Sequence, residues 1–362
     1  MLDLTSALYL GMRHPSAALR PWDALTLGKP AALGAPSESE SLARALAELQ
    51  GSEHAVLAPS TLHLFWDLFT MLAERGMSIY LDAGAYAVAR WGAERAGARG
   101  AVVRRFAHHD VAALREQIAR DRAPGTAPVI VTDGFCPVCG RAAPLGEYLG
   151  IVEREGGYLV VDDTQSIGLL GHGASAERPY GRGGGGSLAY HGLASRRAIV
   201  GSSLAKGFGV PVAVLAAGHA LVRQFVQHSE TAVHSSPPSL ATLRAAEHAL
   251  AVNRACGDAL RARLAQRVRR FRDGLRRLGI PVSGGLFPVQ TIRPARAVEA
   301  VHRELLELGL RTVPIRDCRG GRGRIAAIVT ALQRPSDIDR AVDIIARALT
   351  TPAFASHSGA LP

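Results

Sequence analysis

Through residues 51–217, short apolar runs alternate with stretches of helical spacing. "SIYLDAG", "GAVVRRF", "PVIVTDG", "GYLVVDD", "RAIVGSS" and "PVAVLAAG" are of strand length and apolar on both sides, and "DVAALREQIARD" and "APLGEYLGIVEREGG" between them repeat their apolar positions as helices do. Strands without polar alternation, separated by helices, predict a mostly parallel sheet covered on both faces. Upstream, "SESESLARALAELQG" opens with serine and acid, repeats Leu42, Leu46 and Leu49, and closes on Gly51, the pattern of a capped helix. "HAVLAPST" follows as a short run into a turn, and "LFWDLFTMLAERG" as a further helix.

Beyond about residue 240 the pattern changes to a long helix, then "GLFPVQTIR", the helix "AVEAVHRELLELGLR", "TVPIRD", the strand-like "GRIAAIVTA" and a last helix "PSDIDRAVDIIARAL". Two or three strands with these helices predict a second, smaller α+β domain. The expected division is an N-terminal segment 1–50 packing with the small domain, a large domain 51–240, a small domain 241–350 and a frayed tail 351–362. The segment "GHGASAERPYGRGGGGSLAYHG" reads as a mobile loop, because no strand leads into it and no helix follows at the spacing of a nucleotide-binding glycine fingerprint.

With 362 residues, 48% hydrophobic and 20% charged, the composition is that of a globular protein with room for two cores. No apolar run reaches the ~18 residues a membrane helix needs, and "MLDLTSALYLGMRHP" lacks the basic-then-apolar order of a signal peptide, so a cytoplasmic location is expected. Cys136, Cys139, Cys256 and Cys318 are too few and scattered for a disulfide framework. The net charge of +11 concentrates in "RARLAQRVRRFRDGLRRLG", where Leu260, Leu264, Val268, Phe271, Leu275 and Leu278 recur at helical steps. That spacing makes Arg261, Arg263, Arg267, Arg269, Arg270, Arg272, Arg276 and Arg277 the wet face of an amphipathic helix rather than a nucleic-acid surface.

The basic residues carry a second signal. Lys29 and Lys206 are the two lysines, and the other 40 of the 42 cations are arginines. Guanidinium stays protonated, whereas an amine sheds its proton and attacks carbonyls, so Lys206 in "GSSLAKGFG" is a candidate for amine chemistry. Its small neighbours predict a tight turn. Asp82, Asp133, Asp162 with Asp163, and Ser202 with Ser203 all close apolar strands, placing polar groups at the sheet's carboxyl edge, where ligands of α/β folds collect. An amine and a carboxylate at two strand ends suit pyridoxal phosphate: the lysine condenses with the aldehyde, and Asp162 keeps the ring nitrogen protonated.

On these residues, and on "YLG" at 9–11, "FAHHDVAAL" at 106–114, "VTDG" with "APL", "VDD" with "GLLG", "SSPP" at 235–238 and "TALQRPSDIDR", the chain resembles the α-oxoamine synthase group of fold-type-I pyridoxal phosphate enzymes. The resemblance implies a large domain built on a mostly parallel seven-stranded sheet, a smaller α+β domain, pyridoxal 5'-phosphate as cofactor, and a homodimer with shared active sites. It implies that Lys206 forms the Schiff base and Asp162 pairs with the ring nitrogen. Ser203, Ser60 and Thr61 are implied to bind the phosphate, and Ser235 and Ser236 to reach the other subunit's site. Tyr86 stands where the family stacks a histidine on the ring, and Gln165 where a histidine bonds the phenolic oxygen.

Substrate-contact positions depart further from the family. Ala7 and Leu8 replace its asparagine, and Ala326 falls where an arginine fixes the amino-acid carboxylate. Arg324, two residues earlier on the same strand face, is the candidate substitute. The pair in "CPVCG", in the loop before "RAAPL", is read as having no metal or redox role, and His108 and His109 as a helix-start loop rather than ligands. The activity this implies is decarboxylative condensation of an amino acid with an acyl thioester, carried on coenzyme A or an acyl carrier protein. Amino transfer to a carbonyl compound is the alternative, and a non-catalytic basic protein binding nucleic acid is the rival of another class.

Overall fold

The computed structural model describes residues 1–121, 125–316 and 323–350; the tail 351–362 and Cys318 lie outside the described residues. After a short strand β1 (Leu2–Asp3) and an irregular stretch come α1 (Glu38–Gln50), β2 (His54–Ala58), α2 (Thr61–Glu74), β3 (Ser78–Asp82), α3 (Ala87–Ala98), β4 (Val103–Phe106), α4 (Val111–Asp121) and β5 (Pro128–Asp133). A hairpin, β6 (Phe135–Cys136) with β7 (Arg141–Ala142), precedes α5 (Leu145–Glu155), β8 (Tyr158–Asp162), α6 (Ser187–Tyr190), β9 (Ala198–Ser203) and β10 (Ala213–Ala217).

Seven of these strands form one sheet in the order β2-β10-β9-β8-β5-β3-β4. β10 runs antiparallel to β2 and β9, and the pairs β9-β8, β8-β5, β5-β3 and β3-β4 are parallel. The inner strands β3, β5 and β8 are buried on both faces, as their unalternating sequences require, while edge strand β4 exposes Arg104 and Arg105. Ile79 and Leu81 of β3 join Phe65, Phe69 and Leu72 of α2 on one face, while Tyr80 between them joins Tyr148 and Val152 of α5 on the other. Parallel pairing aligns the carboxyl ends, setting Asp133 opposite Asp162 and Asp162 opposite Gly201.

The chain continues through α7 (His219–His228), α8 (Glu230–His234) and α9 (Leu240–Arg277), an unbroken helix of 38 residues capped by the Ser239 hydroxyl on the N–H of Thr242. The smaller lobe contains β11 (Val282–Ser283), β12 (Val289–Ile292), α10 (Val298–Glu307), β13 (Leu310–Arg311), β14 (Val313–Ile315), β15 (Arg324–Ile328) and α11 (Pro335–Thr350). Its antiparallel sheet has four strands, β11-β12-β15-β14, where the sequence predicts two or three. β11 and β14 hold two and three residues, too few to show a periodicity. β1 pairs in parallel with β13, while α1 packs on β2, β10 and α9, so the first 50 residues touch both lobes. No described helix is long and apolar enough to cross a membrane.

Two sequence expectations are corrected. The glycine-rich segment is a packed part of the fold: Ile167 bridges Gly185, His172 bridges Arg182, and the buried Tyr180 donates its hydroxyl to the Leu286 carbonyl at 2.6 Å. Its glycines serve close backbone approach; a Cβ on Gly171 would lie 1.8 Å from the Arg182 carbonyl oxygen. Arg261 is not on the wet face of α9. Its side chain is 2% exposed and donates to the Gly168 carbonyl at 2.6 Å, to Asn253 Oδ1 at 2.9 Å and to Asp258 Oδ1 at 2.6 Å, tying α9 to this segment. Arg261→Ala removes the donor to the Gly168 carbonyl and to buried Asn253 and opens a cavity under α9, and we expect a loss of about 2–4 kcal/mol in urea unfolding. An unchanged midpoint would refute that role.

Candidate active site

Lys206 sits in the turn after β9. Phe208 closes it by donating to the Leu204 carbonyl at 3.2 Å, and a Cβ on Gly207 would lie 2.2 Å from the Ile167 carbonyl oxygen. The small neighbours that mark this lysine in the sequence are thus required by the chain's own Ile167–Gly168 turn. The amine faces the carboxyl groups at the ends of β5 and β8, Asp133 half-buried and Asp162 buried. Burial lowers the Lys206 pKa, and Asp162 and Asp133 oppose that shift. Burial raises Asp162, against the pull of Thr164 hydrogen bonds and of Lys206. Asp133 is pushed well above the ordinary carboxyl range by burial and then by Asp162, offset in part by the Tyr86 N–H that it accepts at 3.0 Å.

Local bonds aim the surrounding groups. Asp162 Oδ1 accepts the Thr164 N–H at 3.0 Å, and the Thr164 hydroxyl accepts the Ser203 N–H at 3.0 Å, joining the ends of β8 and β9. The Tyr9 hydroxyl donates to Gln165 Oε1 at 2.5 Å, which turns that amide so that Nε2 remains as its donor. Tyr86, at the start of α3, holds its ring 5.9 Å from Lys206 Nζ while 57% of the residue stays exposed, so the site is open on that side.

Ser60 caps α2 and Thr61 begins it, so the helix's first N–H groups lack partners within the helix. Ser60 Oγ lies 2.9 Å from His63 Nδ1. Ser203 Oγ accepts the Ala205 N–H at 3.3 Å at the entrance of the lysine turn. Ser235 and Ser236 are not brought to Lys206 within this chain. Ser235 donates to the Thr231 carbonyl at 2.7 Å and lines a cavity of about 640 Å³ with His63, Pro59 and Ser37, and Ser236 is exposed. Arg324 begins β15 and donates to Ser283 Oγ at 3.5 Å in the small lobe; Ala326 on the same face is buried.

The donor set suits pyridoxal phosphate. One amine of lowered pKa faces two carboxyls, for which Lys206 is the cation acting on both, and a helix start with a flanking hydroxyl lies near for an anion. The profile of the aminotransferase class I and II family matches residues 1–345, and the chain belongs to that family. Within it, the chain is an α-oxoamine synthase-like, pyridoxal phosphate-dependent acyltransferase. It is 31% identical over 319 residues to the 8-amino-7-oxononanoate synthase of Halorhodospira halophila, covering 86% of this chain and 75% of that one. A second, from Geotalea daltonii, is 29% identical over 364 residues, covering 96% and 88%. Among solved structures, the serine palmitoyltransferase of Sphingomonas wittichii matches at TM-score 0.80 and 20% identity over 96% of this chain and 86% of its own. The 8-amino-7-oxononanoate synthase of Francisella tularensis matches at 0.74 and 20%, over 96% and 97%.

Several contributors escape the sequence reading. Tyr9 lies some 150 residues from Gln165, and only the fold joins them. Asp133 is legible as a strand-end acid, though its pairing with Asp162 needs the strand order. His63 stands three residues after Ser60, at helix-start spacing that was available as a signal.

Asp163 supplies a test of the buried electrostatics. Burial raises its pKa from 3.8 to about 7, against the Ser187 hydroxyl and N–H donors at 2.5 and 2.8 Å. Between those values the folded state keeps a proton that the unfolded chain has lost, so stability falls as pH rises through that window. In urea titrations at stepped pH, Asp163→Asn is expected to show a shallower decline than the parent; parallel profiles would contradict the raised value.

Proposed function

We propose that the protein condenses an α-amino acid with an acyl thioester, with loss of carbon dioxide. The carrying observation is the Lys206 amine held against Asp162 and Asp133 at the carboxyl edge of the sheet, in a chain related over most of its length to 8-amino-7-oxononanoate synthases. Bound pyridoxal phosphate supplies an electron sink for negative charge at the amino acid's α-carbon. Asp162 holds a proton at the ring nitrogen, and its burial keeps water from competing for that contact. Gln165, its Oε1 engaged by Tyr9, would donate through Nε2 to the phenolic oxygen, and the Tyr86 ring would supply an aromatic surface for the cofactor ring. Ser203 and the α2 start at Ser60 and Thr61 bind the phosphate. Lys206, its pKa lowered by burial, accepts and returns the α-proton.

In this reading the enzyme is cytoplasmic and works as a homodimer. Ser235 and Ser236 extend to the partner's site, and the partner covers the exposed face of Tyr86. Arg324 binds the substrate carboxylate.

Incubation with amino acids and acyl thioesters is expected to release carbon dioxide and free thiol only when both substrates are present. Lys206→Ala is expected to reduce turnover by about a thousandfold or more. Ketoacid formation without thioester would replace this reading with amino transfer. A nucleic-acid-binding protein without a cofactor would give no visible absorbance sensitive to that substitution. Arg324→Ala is expected to raise the amino-acid KM about tenfold or more while cofactor absorbance stays unchanged; an unaltered KM removes Arg324 from the site. Light scattering is expected to give twice the 38.2 kDa chain mass.

A further inference from the structure

One strand away from the lysine site, the ends of β3, β4 and β5 bring together a second set of reactive side chains. His108 Nε2 lies 3.4 Å from Cys139 Sγ, and its Nδ1 lies 2.6 Å from Asp82 Oδ1, with both the histidine and the aspartate side chains buried. The other Asp82 oxygen accepts the His109 N–H at 3.1 Å. His109 has φ of 57°, alone in the positive range among the described non-glycine residues, and its ring lies against that of His108 with centroids 3.7 Å apart. Its Nε2 is buried without a hydrogen-bond partner. A histidine held in a disfavoured backbone conformation, with an unused nitrogen turned inward, is arranged for a ligand rather than for packing.

Cys139 arrives on the β6-β7 hairpin. Gly140, at φ of 69°, donates to the Cys136 carbonyl at 2.9 Å, and the Cys139 N–H points at Cys136 Sγ at 3.5 Å. This C-x-x-C-G turn therefore directs a backbone donor at the first sulfur and keeps the second beside it. The donor atoms of His108, His109 and Cys139 all lie within 4.8 Å of one another. Ligands at about 2.0 Å (nitrogen) and 2.3 Å (sulfur) from a tetrahedral zinc ion are themselves roughly 3.5 Å apart, matching the His108–Cys139 distance. Mixed imidazole and thiolate donors favour zinc over magnesium or calcium. The Asp82 contact fixes His108 with Nε2 free to coordinate, the usual support of a metal-bound histidine.

We propose that His108, His109 and Cys139 are the protein ligands of a zinc ion. The ion clamps three successive strand ends. It also fixes Asp82, which accepts the Gly84 N–H at 2.7 Å at the start of the turn that delivers Tyr86 to Lys206. This assignment is independent of the reaction proposed above, because it is read from metal content.

The test uses the full chain expressed with added zinc and purified without chelator. Elemental analysis is expected to find about one zinc per chain in the parent and in Cys256→Ser, and background in Cys139→Ser and His109→Ala. Replacement by cobalt(II) is expected to give a thiolate-to-cobalt charge-transfer band, absent in Cys139→Ser. Asp82→Asn, which removes only the support of His108, is expected to weaken zinc binding by about tenfold to a hundredfold without abolishing it. Should the variants unfold, alkylation of the parent decides: added zinc protects Cys139 and leaves Cys256 reactive. A parent that takes up no zinc, an equal zinc content in well-folded Cys139→Ser, no change in Cys139 alkylation with zinc, or a Cys136–Cys139 disulfide in the freshly purified protein would each overturn the proposal.

Discussion

An amine withdrawn from water beside two carboxyl groups is the constraint around which this molecule is organised. Each member is costly to bury alone, and their proximity offsets part of that cost. The arrangement needs strands that end together, which parallel pairing of β5, β8 and β9 provides. It also needs a turn that pushes the lysine back over the sheet edge, provided where Gly207 meets Ile167. The apolar cores on both sheet faces make that edge rigid, so the chemistry is positioned by strands and held by short polar bonds between neighbouring loops.

Much of this was legible in the sequence. Apolar runs of strand length marked the inner strands of the large sheet because burial on both faces leaves no alternation to confuse with a surface strand. Lys206 stood out because arginine carries nearly all other positive charge. Partnerships between distant segments were not legible. Nothing near Tyr9 indicates that its hydroxyl orients Gln165, and nothing in the α9 periodicity separates Arg261, which is interior, from its solvent-facing neighbours. The glycine-rich segment misled for a related reason: glycine permits mobility and close packing alike, and only the approaching backbone decides between them. Likewise, Cys139 and the adjacent histidines look unrelated until β4 and β5 are placed on either side of β3.

The departures from the family pattern fall unevenly. In the proposed reading the functions around the ring are kept by other atoms, an amide donor at Gln165 and an aromatic face at Tyr86. At the substrate end, buried Ala326 offers no charge, and Arg324 is engaged with Ser283. Cofactor chemistry constrains its surroundings tightly, whereas substrate choice is set by a few side chains at the mouth. That division accounts for a chain that keeps the family's fold and reaction centre while its substrate contacts differ.

The length of α9 bears on how the two lobes move. One continuous rod of 38 residues, about 57 Å long, contributes side chains to the core under both lobes and contains no proline at which to flex. A clamshell closing about its midpoint would break helical hydrogen bonds. Relative motion of the lobes would instead have to be taken up outside the helix, as in the connection after it at residues 278–288. The N-terminal strap that runs from β1 past Tyr9 is itself pinned to the small lobe, where Ile328 donates to the Leu4 carbonyl at 2.8 Å and Ala331 to the Tyr9 carbonyl at 2.9 Å, so it travels with that lobe while the rod serves as a fixed spine.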